Sequence, residues 1–590
     1  MSKLRWVFRV FVVVAVFFKL SECQPECNAA DRAALLSFKS KIVKDTSGSL
    51  DSWVGTDCCD GDWEGVECDP ATGRVTALEL QNPSDGDDVY MVGTLSAALG
   101  NLQFLQVLVI TGMRHISGPI PETICNLRHL SQLVLEDNSL GGPIPSNIGR
   151  LSSLKTLLLD GNRLVGPLPP SLGNLRGLSQ LNLASNFFVG PIPSTFQNLQ
   201  CLEFLDLSHN LLSGVIPDFV GQFRNLTFID VSNNRLSGPI PVSFCSLTSL
   251  SDISLSNNLL TGSIPNQISS LTSLTSLSLS NNRLTGPIPE SLATLHNLWY
   301  LNLSTNALTN PLPRTFAKGL PSLLSIDLSY NNLNLGSIPS WITTRQLSAV
   351  HLAGCNLGGT LPNFTKPASL ISVDFSHNHF TDGLPNLLTR MQNLQFLKLS
   401  NNQFKYDVSR FLLPKGISFV DLSSNQLFGP LSAILNDHTS SFLEVVDVSN
   451  NLISGIIPEF RQDLSLKVLN LGNNKITGHI PNSISNLLEL QRFDITRNQI
   501  SGTIAPGLGQ LTQLQWLDLS INSLKGTIPD SLLRITNLRH ASFRANRLCG
   551  MIPQGRPFNI FPAVAYAHNQ CLCGKPLPPC KGKIPSQTGQ

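Results

Sequence analysis

Leucine recurs along most of the chain in a fixed pattern of alternating apolar and polar positions. In the stretch LEFLDLSHNLLSGVIP, Leu205 and Leu207 enclose Asp206, and Asn210 follows three residues after the second leucine. An alternation with a period of two is typical of a β-strand with one buried face, so the leucines should point inward and Asp206 outward. The Ile-Pro pair ending at Pro217 then predicts an extended return, because proline locks φ and lacks an N–H.

The asparagine of the pattern L-x-L-x-x-N defines a repeat. It advances by 24 residues seven times between Asn138 and Asn306, and the later steps vary between 23 and 26 residues. Two degenerate repeats with Pro83 and Met113 at this position come first, and Cys355 replaces the asparagine once. The 20 units, 17 of them with the asparagine, predict a solenoid, because one unit cannot bury its leucines alone.

The repeated asparagine predicts a structural role inside the coil. Its amide both donates and accepts, so a stack of asparagines can satisfy backbone groups in the buried turn after each strand. We expect Cys355 to take the place of one of them. Residues 403–450 lose the Gly-x-Ile-Pro element, so the coil should be irregular there.

The consensus L-x-x-L-x-L-x-x-N-x-L-x-G-x-I-P resembles the plant-specific leucine-rich repeat. The resemblance covers roughly residues 75–560, and an Ile-Pro or Leu-Pro pair stands at the end of the consensus 16 times within it. It implies an α/β leucine-rich-repeat solenoid. The expected form is a curved right-handed superhelix of about 20 repeats with a parallel concave β-sheet and disulfide-stapled caps at both ends.

The two ends of the chain carry signs of caps. In residues 24–74, Asn28 can cap a helix with Asp31 at its third position, and the pattern D-R-A-A-L-L-x-F-K…C-C-x-x-x-W-x-G-V-x-C resembles the N-terminal cap of plant leucine-rich-repeat ectodomains. The repeats occupy 75–548, and 549–580 holds the end of the last repeat and a C-terminal cap, before a polar tail at 581–590.

Eight cysteines lie in these caps. Spacing alone does not give their connectivity, but a resemblance to polygalacturonase-inhibiting proteins implies four bridges: Cys27–Cys58, Cys59–Cys68, Cys549–Cys571 and Cys573–Cys580. Outside the caps and the predicted signal peptide, which contains Cys23, four cysteines are expected to be buried free thiols: Cys125, Cys201, Cys245 and Cys355.

The N-terminus predicts export. Residues 1–23 combine basic residues with an unbroken apolar run from Val10 to Phe18, which is too short to span a bilayer as a helix, so we expect a signal peptide and a secreted product in the apoplast or cell wall. No later stretch approaches a transmembrane span. Three N-x-S/T sequons are candidate glycosylation sites: Asn225, Asn302 and Asn363.

Charge and motifs exclude several function classes. The 41 Lys+Arg and 39 Asp+Glu nearly cancel, which removes the basic footprint of a nucleic-acid binder. His377 and His379 give only a weak metal signal, and Asp85, Asp87 and Asp88 lack the distant glutamate of a calcium loop, so solvated turns and loops are favoured. We expect no enzyme activity, no cofactor and no metal site.

The outward strand positions therefore carry the candidate site. One column is rich in aspartate and the neighbouring column carries aromatic residues, which anchor many binding interfaces. The predicted ligand-binding residues are Phe204, Asp206, Phe228, Asp230, Tyr300, Phe396, Phe419 and Trp516. The aspartates also fit a simpler interpretation, because L-D-L-S is common wording of the repeat. A further group could hold an anion or be a solvated face: Arg492, Arg497, His540 and Arg544.

Two functions are consistent with the resemblance. The first is a secreted recognition protein that binds a peptide, protein or cell-wall-derived ligand on its concave face, in defence or developmental signalling, together with a membrane receptor kinase. The alternative is an inhibitor of a microbial cell-wall-degrading enzyme. Known polygalacturonase inhibitors are much shorter, so none of their contact residues is transferred to this chain.

Overall fold

The structure is a computed structural model that describes residues 26–82, 88–410, 412–436 and 438–580, without the side chain of Asn386. The predicted signal peptide at 1–23, the aspartates at 85 and 87, and the tail at 581–590 lie outside the described residues. The chain divides into two compact units, which we call unit 1, up to Asn210, and unit 2, from Leu211.

Each repeat contributes one short strand to a parallel main sheet. In unit 1 the strands are Arg74–Gln81, Val107–Thr111, Gln132–Val134, Thr156–Leu158, Gln180–Asn182 and Phe204–Asp206. In unit 2 they are Phe228–Asp230, Asp252–Ser254, Ser276–Ser278, Tyr300–Asn302, Ser325–Asp327, Ala349–His351, Ser372–Asp374, Phe396–Lys398, Phe419–Asp421, Val445–Asp447, Val468–Asn470, Arg492–Asp494, Trp516–Asp518 and His540–Ser542. The described chain thus has the 20 repeat strands that the asparagine count predicts, and the leucine-rich-repeat solenoid fold is confirmed.

The strands align repeat on repeat. Leu181 pairs with Leu205 in unit 1, and Ile253 pairs with Leu277 in unit 2. These central residues are at most 3% exposed, whereas the first and third residues of each strand face outward. Period-two alternation therefore places one apolar side chain per strand between neighbouring repeats, where stacking buries it.

The repeated asparagines form the predicted ladder. The Asn258 amide donates to Leu255 O and Ser256 O of its own turn and to Val231 O of the preceding repeat, at 3.0–3.2 Å. Its carbonyl accepts from the N–H of Leu236 at 2.9 Å. One buried side chain thus satisfies four backbone groups that are shielded from water.

Cys355 occupies the ladder position as expected. It is fully buried, and its thiol contacts Leu328 O at 3.5 Å and Ala353 O at 3.7 Å. Burial, and then the negative charge of Asp327, raises the pKa of this thiol to about 12. The expectation for Cys201 is wrong, because that thiol is exposed, whereas Cys125 and Cys245 are buried.

A second row of strands follows the ladder, which the sequence pattern did not predict. In unit 1 these strands are Met91–Thr94, Arg114–Gly118, Ser139–Gly142, Arg163–Pro167 and Phe187–Gly190, with Ile42–Asp45 antiparallel to the first. In unit 2 they are Leu211–Val215, Arg235–Pro239, Leu259–Gly262, Arg283–Pro287, Ala307–Thr309, Gly358–Thr360, His379–Asp382, Phe428–Pro430, Leu452–Ser454, Lys525–Gly526, Arg547–Met551 and Cys571–Cys573. Stacking brings the extended returns of neighbouring repeats close enough to pair, and several of these strands end at a proline, such as Pro167 and Pro239.

The second row is interrupted earlier than the predicted irregular segment at 403–450. After Ala307–Thr309 it consists of isolated bridges between Thr309 and Asn332 and between Gly336 and Leu357, and paired strands resume at Gly358–Thr360. The main sheet keeps its register through this part of unit 2, where Phe396 pairs with Phe419. The irregularity therefore leaves the outward face of the main sheet continuous.

Short helices return the chain to the next strand. The α-helices are Ala29–Lys39, Ser340–Thr344 and Leu384–Leu388. The 3-10 helices of unit 1 are Ser49–Ser52, Ala97–Asn101, Glu122–Asn126, Ile148–Arg150, Pro170–Asn174 and Ser194–Asn198. Those of unit 2 are Asp218–Gln222, Val242–Ser246, Asn266–Ser270, Glu290–Thr294, Arg314–Ala317, Pro367–Ser369, Val408–Arg410, Leu431–Ala433, Asn482–Asn486, Pro506–Gln510, Asp530–Arg534 and Ala563–Tyr566. Within the described ranges, no helix has the length and apolar character that a membrane span requires.

The N-terminal cap is closed by a helix, two tryptophans and an ion pair. The side chain of Asn28 accepts from the N–H of Ala30 at 3.0 Å, which confirms it as the helix cap. The carboxylate of Asp31 is fully buried and accepts two hydrogen bonds from Arg74, at 2.7 and 2.8 Å. Trp53 and Trp63 stack at 5.4 Å beneath this layer.

The C-terminal cap extends the ladder by one turn. Asn569 donates to Phe543 O and Tyr566 O at 2.9 Å and accepts from the N–H of Leu548 at 3.0 Å, although no L-x-L precedes it. The ring of Tyr566 stacks on Phe543 at 5.7 Å and covers the last repeat.

Four disulfide bridges tie these caps. They are Cys27–Cys58, Cys59–Cys68, Cys549–Cys571 and Cys573–Cys580, the pairs that the resemblance implied.

Candidate ligand-binding face

The predicted ligand-binding residues lie at outward positions of main strands in both units. Phe204 and Asp206 belong to the last main strand of unit 1, and the others belong to unit 2. All eight side chains are half-buried rather than exposed, because neighbouring repeats cover part of each. The predicted outward positions therefore carry side chains that are partly accessible.

Phe396 and Phe419 form the clearest aromatic feature on this face. They lie opposite each other on adjacent strands, and their rings stack at 4.3 Å with an interplanar angle of 17°. Val445 and Val468 occupy the same position on the next two strands. We call Phe396, Phe419, Val445 and Val468 the apolar strip.

Two other predicted aromatic residues lie on strands that are not adjacent to each other. Phe228 and Tyr300 are separated by the polar positions Asp252 and Ser276 of the two strands between them. The hydroxyl of Tyr300 accepts from the amide of Asn302 at 3.2 Å. The structure therefore brings Phe396 and Phe419 together but leaves Phe228 and Tyr300 apart.

The aspartates beside the aromatic positions have a structural role. Asp206 Oδ1 accepts from the N–H of Ser208 at 2.9 Å, and Asp230 Oδ1 accepts from the N–H of Ser232 at 2.7 Å. The same bond recurs along unit 2 at Asp327, Asp374, Asp421, Asp447 and Asp518. The recurrence of the motif D-L-S thus has a physical reason, because one carboxylate oxygen of the aspartate accepts a hydrogen bond that stabilises the turn after these strands.

The second carboxylate oxygens lie near basic side chains beside the apolar strip. Asp374 Oδ2 lies 3.9 Å from Lys398 Nζ, and Asp327 Oδ2 lies 3.7 Å from His351 Nδ1. Burial acts to raise the pKa of Asp327, but hydrogen bonds from His351 and Ser329 outweigh it and hold that pKa below its ordinary value. This part of the face therefore presents alternating charges beside apolar rings.

The same residues include a Ser–His–Asp set that the sequence search missed, because its members lie on three different repeats. His351 Nε2 lies 2.8 Å from Ser372 Oγ and His351 Nδ1 lies 3.7 Å from Asp327 Oδ2. Acyl transfer also needs backbone donors aimed at an oxyanion. The N–H of Ser372 already donates to Ser348 O at 3.1 Å, so this strand does not supply one.

Trp516 belongs to a separate stack with two residues of the predicted basic group. The guanidinium of Arg492 lies 4.5 Å from the centroid of Trp516, and the ring of His540 stacks on the other side at 3.7 Å. Arg492 also bonds Asp494 at 3.1 Å, and burial raises the pKa of that aspartate. Because its charge is paired, Arg492 is a poor anion site, whereas Arg497 and Arg544 remain exposed.

Two sequons lie at exposed positions and the third lies on the face. Asn225 and Asn363 are exposed. Asn302 is half-buried, and its amide and carbonyl are hydrogen-bonded to Tyr300 and Ser304.

His377 and His379 flank a ladder asparagine on opposite sides, and His377 has a positive φ of 55° in the turn.

Family comparisons agree with this architecture. A family model described as leucine-rich repeat region matches residues 93–214 and 204–434, and a leucine-rich-repeat N-terminal domain matches residues 28–69. The chain belongs to the leucine-rich-repeat proteins. Its relatives are extracellular-type plant members of the family.

Curated relatives match only part of this leucine-rich-repeat protein. A DNA damage-repair/toleration protein of Arabidopsis thaliana is 34% identical over 22% of this chain and 37% of its own length. The receptor-like protein EIX2 of Solanum lycopersicum is 30% identical over 26% of this chain and 17% of its own. A polygalacturonase inhibitor of Vitis vinifera is 36% identical over 18% of this chain and 30% of its own. The matched stretch thus spans less than two-fifths of each relative.

Solved structures match over most of the chain. The ectodomain of the receptor kinase GASSHO1/SCHENGEN3 of Arabidopsis thaliana, in complex with CASPARIAN STRIP INTEGRITY FACTOR 2, has a TM-score of 0.69 at 32% identity and is covered to 64%, with 92% of this chain aligned. The Arabidopsis receptor kinase HAESA, in complex with the peptide hormone IDA and the co-receptor SERK1, has a TM-score of 0.63 at 29% identity and is covered to 98%, again with 92% of this chain aligned.

Proposed function

We propose that this protein is a secreted recognition protein that binds an extended peptide segment on the outward face of the main sheet in unit 2. The observation that carries the proposal is the stacked pair of Phe396 and Phe419, which continues into Val445 and Val468 as an apolar strip. Half-buried rings on a rigid sheet lose little conformational freedom on binding, which favours their use as anchors.

Charged groups beside the strip would orient the ligand. Lys398 and His351 lie at one end, each beside an aspartate, and the Arg492–Trp516–His540 stack lies on strands beyond Val468. A peptide with apolar side chains and both charge signs would complement this arrangement. The similarity to receptor kinases solved with bound ligands supports the same class of ligand.

We further propose that the protein acts in the apoplast or cell wall with a membrane receptor kinase, in defence or developmental signalling. The four disulfides suit an oxidising compartment, and the predicted signal peptide at 1–23 suits export. The HAESA complex, in which a co-receptor is present beside the peptide hormone, supports a kinase partner by similarity.

The test is ligand capture with the apolar strip removed. Tagged protein would be incubated with plant extracellular fluid, and bound peptides would be identified by mass spectrometry and then titrated by calorimetry. The double variant Phe396→Ala/Phe419→Ala should weaken binding by at least about 30-fold, because each anchor is worth about 1–2 kcal/mol.

A matched control is Phe428→Ala, which removes an exposed ring from a second-row strand. It should leave binding unchanged. Equal affinity of the double variant and the unaltered protein for the captured peptide would contradict a site at the apolar strip.

The alternative function is inhibition of a microbial cell-wall-degrading enzyme. It is favoured by the four cap disulfides and by the similarity to the Vitis vinifera polygalacturonase inhibitor. Incubation with fungal polygalacturonase separates the two functions. Full enzyme activity at micromolar protein would eliminate the inhibitor, and loss of activity would favour it over the peptide-binding proposal.

A further inference from the structure

A second surface of unit 2 has the features of a separate binding site. A pocket of about 560 Å³ lies beside the residues that immediately precede the main strands. Its walls include Leu324, Ile371, Gln346, Gln392 and Gln395, and every residue that lines it is uncharged. We call this the edge pocket.

The edge pocket continues a row of residues in register. The N–H of Leu324 donates to Trp299 O, that of Ser348 to Leu324 O, and that of Ile371 to Ser348 O, at 2.7–2.9 Å. The N–H of Gln395 completes the row by donating to Ile371 O at 2.9 Å. At ordinary strand spacing the row from Trp299 to Gln395 is about 19 Å long.

Apolar surface in this row is exposed. The exposed fractions are 45% for Trp299, 45% for Leu324 and 41% for Ile371. Trp299 lies one register step from the pocket wall at Leu324. Its indole therefore offers a flat platform beside a pocket lined by aliphatic and amide groups.

The polar groups of the edge pocket are mainly amides. Gln392 and Gln395 are exposed, and each amide offers a donor and an acceptor in a fixed relation. Asn393 donates to Ala368 O at 2.8 Å, which holds its amide in place beside the pocket. These uncharged amides, each with a donor and an acceptor, match a ligand with adjacent hydroxyl groups, because a hydroxyl group can also donate and accept.

We propose that the edge pocket binds a neutral oligosaccharide. The apolar face of one pyranose ring would pack on Trp299, and rings further along would place their hydroxyls against the amides of Gln392 and Gln395. The site is separate from the apolar strip and does not rest on the proposed peptide site. Successive residues of the row are one strand spacing apart, so the row suits a polymer whose units repeat at a similar distance.

One glycine of the pocket allows a blocking variant. A Cβ built at Gly416 meets no atom within 4 Å, and Gly416 does not adopt a positive φ. Because Gly416 lines the pocket, a phenylalanine can be placed at the pocket wall without backbone strain. Gly416→Phe should fill the site while the repeat stays folded.

The experiment is calorimetric titration of the full chain with cellohexaose, laminarihexaose, mannohexaose and hexagalacturonate. At least one neutral hexasaccharide should bind. Trp299→Ala should weaken that binding by about tenfold, and Gly416→Phe should abolish it. Two controls remove exposed residues elsewhere in unit 2, Phe442→Ala and Gln267→Ala, and should leave binding unchanged.

Three results would overturn the proposal. The first is no binding of any neutral hexasaccharide. The second is binding that Trp299→Ala and Gly416→Phe leave intact. The third is binding of hexagalacturonate alone with loss in Lys366→Ala, because the nearby Lys366, which donates to Gln346 at 3.2 Å, would then define an acidic-glycan site. Phe396→Ala/Phe419→Ala should retain oligosaccharide binding, so failure of the peptide site is distinguishable from failure of this one.

Discussion

At the scale of single residues, the same repeat letters serve packing and hydrogen bonding at once. Asn258 satisfies four backbone groups, and an aspartate such as Asp230 ties its own turn through Ser232. An aspartate on the outward face is therefore weak evidence for ligand binding, whereas the phenylalanines Phe396 and Phe419 have no hydrogen-bonding group that could tie a turn.

The ladder predicts a clear cost of truncation. Asn258→Ala should lower the free energy of unfolding by about 1–3 kcal/mol, because it leaves buried backbone groups without partners. Urea denaturation followed by circular dichroism measures the change. Asn266→Ala, at an exposed asparagine of the same unit, should have little effect. An unchanged urea midpoint for Asn258→Ala would refute the ladder account.

A carboxyl pair in unit 1 predicts a pH dependence. Asp160 and Glu136 hold equivalent positions in consecutive repeats, and burial, reinforced by Glu136, raises the pKa of Asp160 from 3.8 to about 7. Between about pH 4 and pH 7, Asp160 therefore binds a proton when the chain folds. The resulting stability is fully present below about pH 4 and is lost as the pH rises through about 7.

Asp160→Asn tests this dependence. At pH 8 the variant should unfold at a higher temperature than the unaltered protein, and its free energy of unfolding should be larger by up to about 4 kcal/mol. At pH 4 the two proteins should be similarly stable. Glu136→Gln should act in the same direction but less, since it removes only the second cause. If the melting temperatures of Asp160→Asn and the unaltered protein change with pH in the same way, the carboxyl pair is not the source of the pH dependence.

At the scale of elements, the caps join the repeats through specific tertiary contacts. The helix Ala29–Lys39 is fixed to the first repeat strand, Arg74–Gln81, by the buried carboxylate of Asp31. The same carboxylate accepts from the N–H of Val75 at 3.1 Å. The cap is therefore locked to the solenoid by polar bonds as well as by its disulfides.

Asp31→Ala should destabilise the N-terminal cap by about 3 kcal/mol, because Arg74 and the N–H of Val75 lose their buried partner. Hydrogen exchange of the helix Ala29–Lys39, read by mass spectrometry, reports the loss. Asp51→Ala, at an exposed position of the same cap, is the control. If the helix stays as protected as before, the ion pair does not hold the cap.

At the scale of the whole molecule, glycan attachment depends on which sequons are accessible. Asn225 and Asn363 are exposed, whereas Asn302 is engaged with Tyr300 on the main sheet. Protein secreted from plant cells should carry glycans at the first two positions and none at Asn302. Glycopeptide mass spectrometry checks each site, and a glycan on Asn302 would contradict the occupied-amide argument.

Much of this protein was determined by its sequence alone. The 24-residue period, the inward leucines and the ladder asparagines follow from local rules that each repeat restates, so one unit predicts the next. The cap disulfides were accessible only through the resemblance, because the spacing of cysteines does not by itself give their connectivity.

Only the tertiary structure decided which outward side chains meet. The stack of Phe396 on Phe419, the Arg492–Trp516–His540 stack, the bond from Arg74 to Asp31 and the edge pocket all join residues on different elements. The physical reason is that burial is set by alternation within one strand, whereas surface contacts depend on how consecutive repeats align. The second row of strands arises in the same way, since an extended return forms a sheet only when a neighbouring repeat places another beside it.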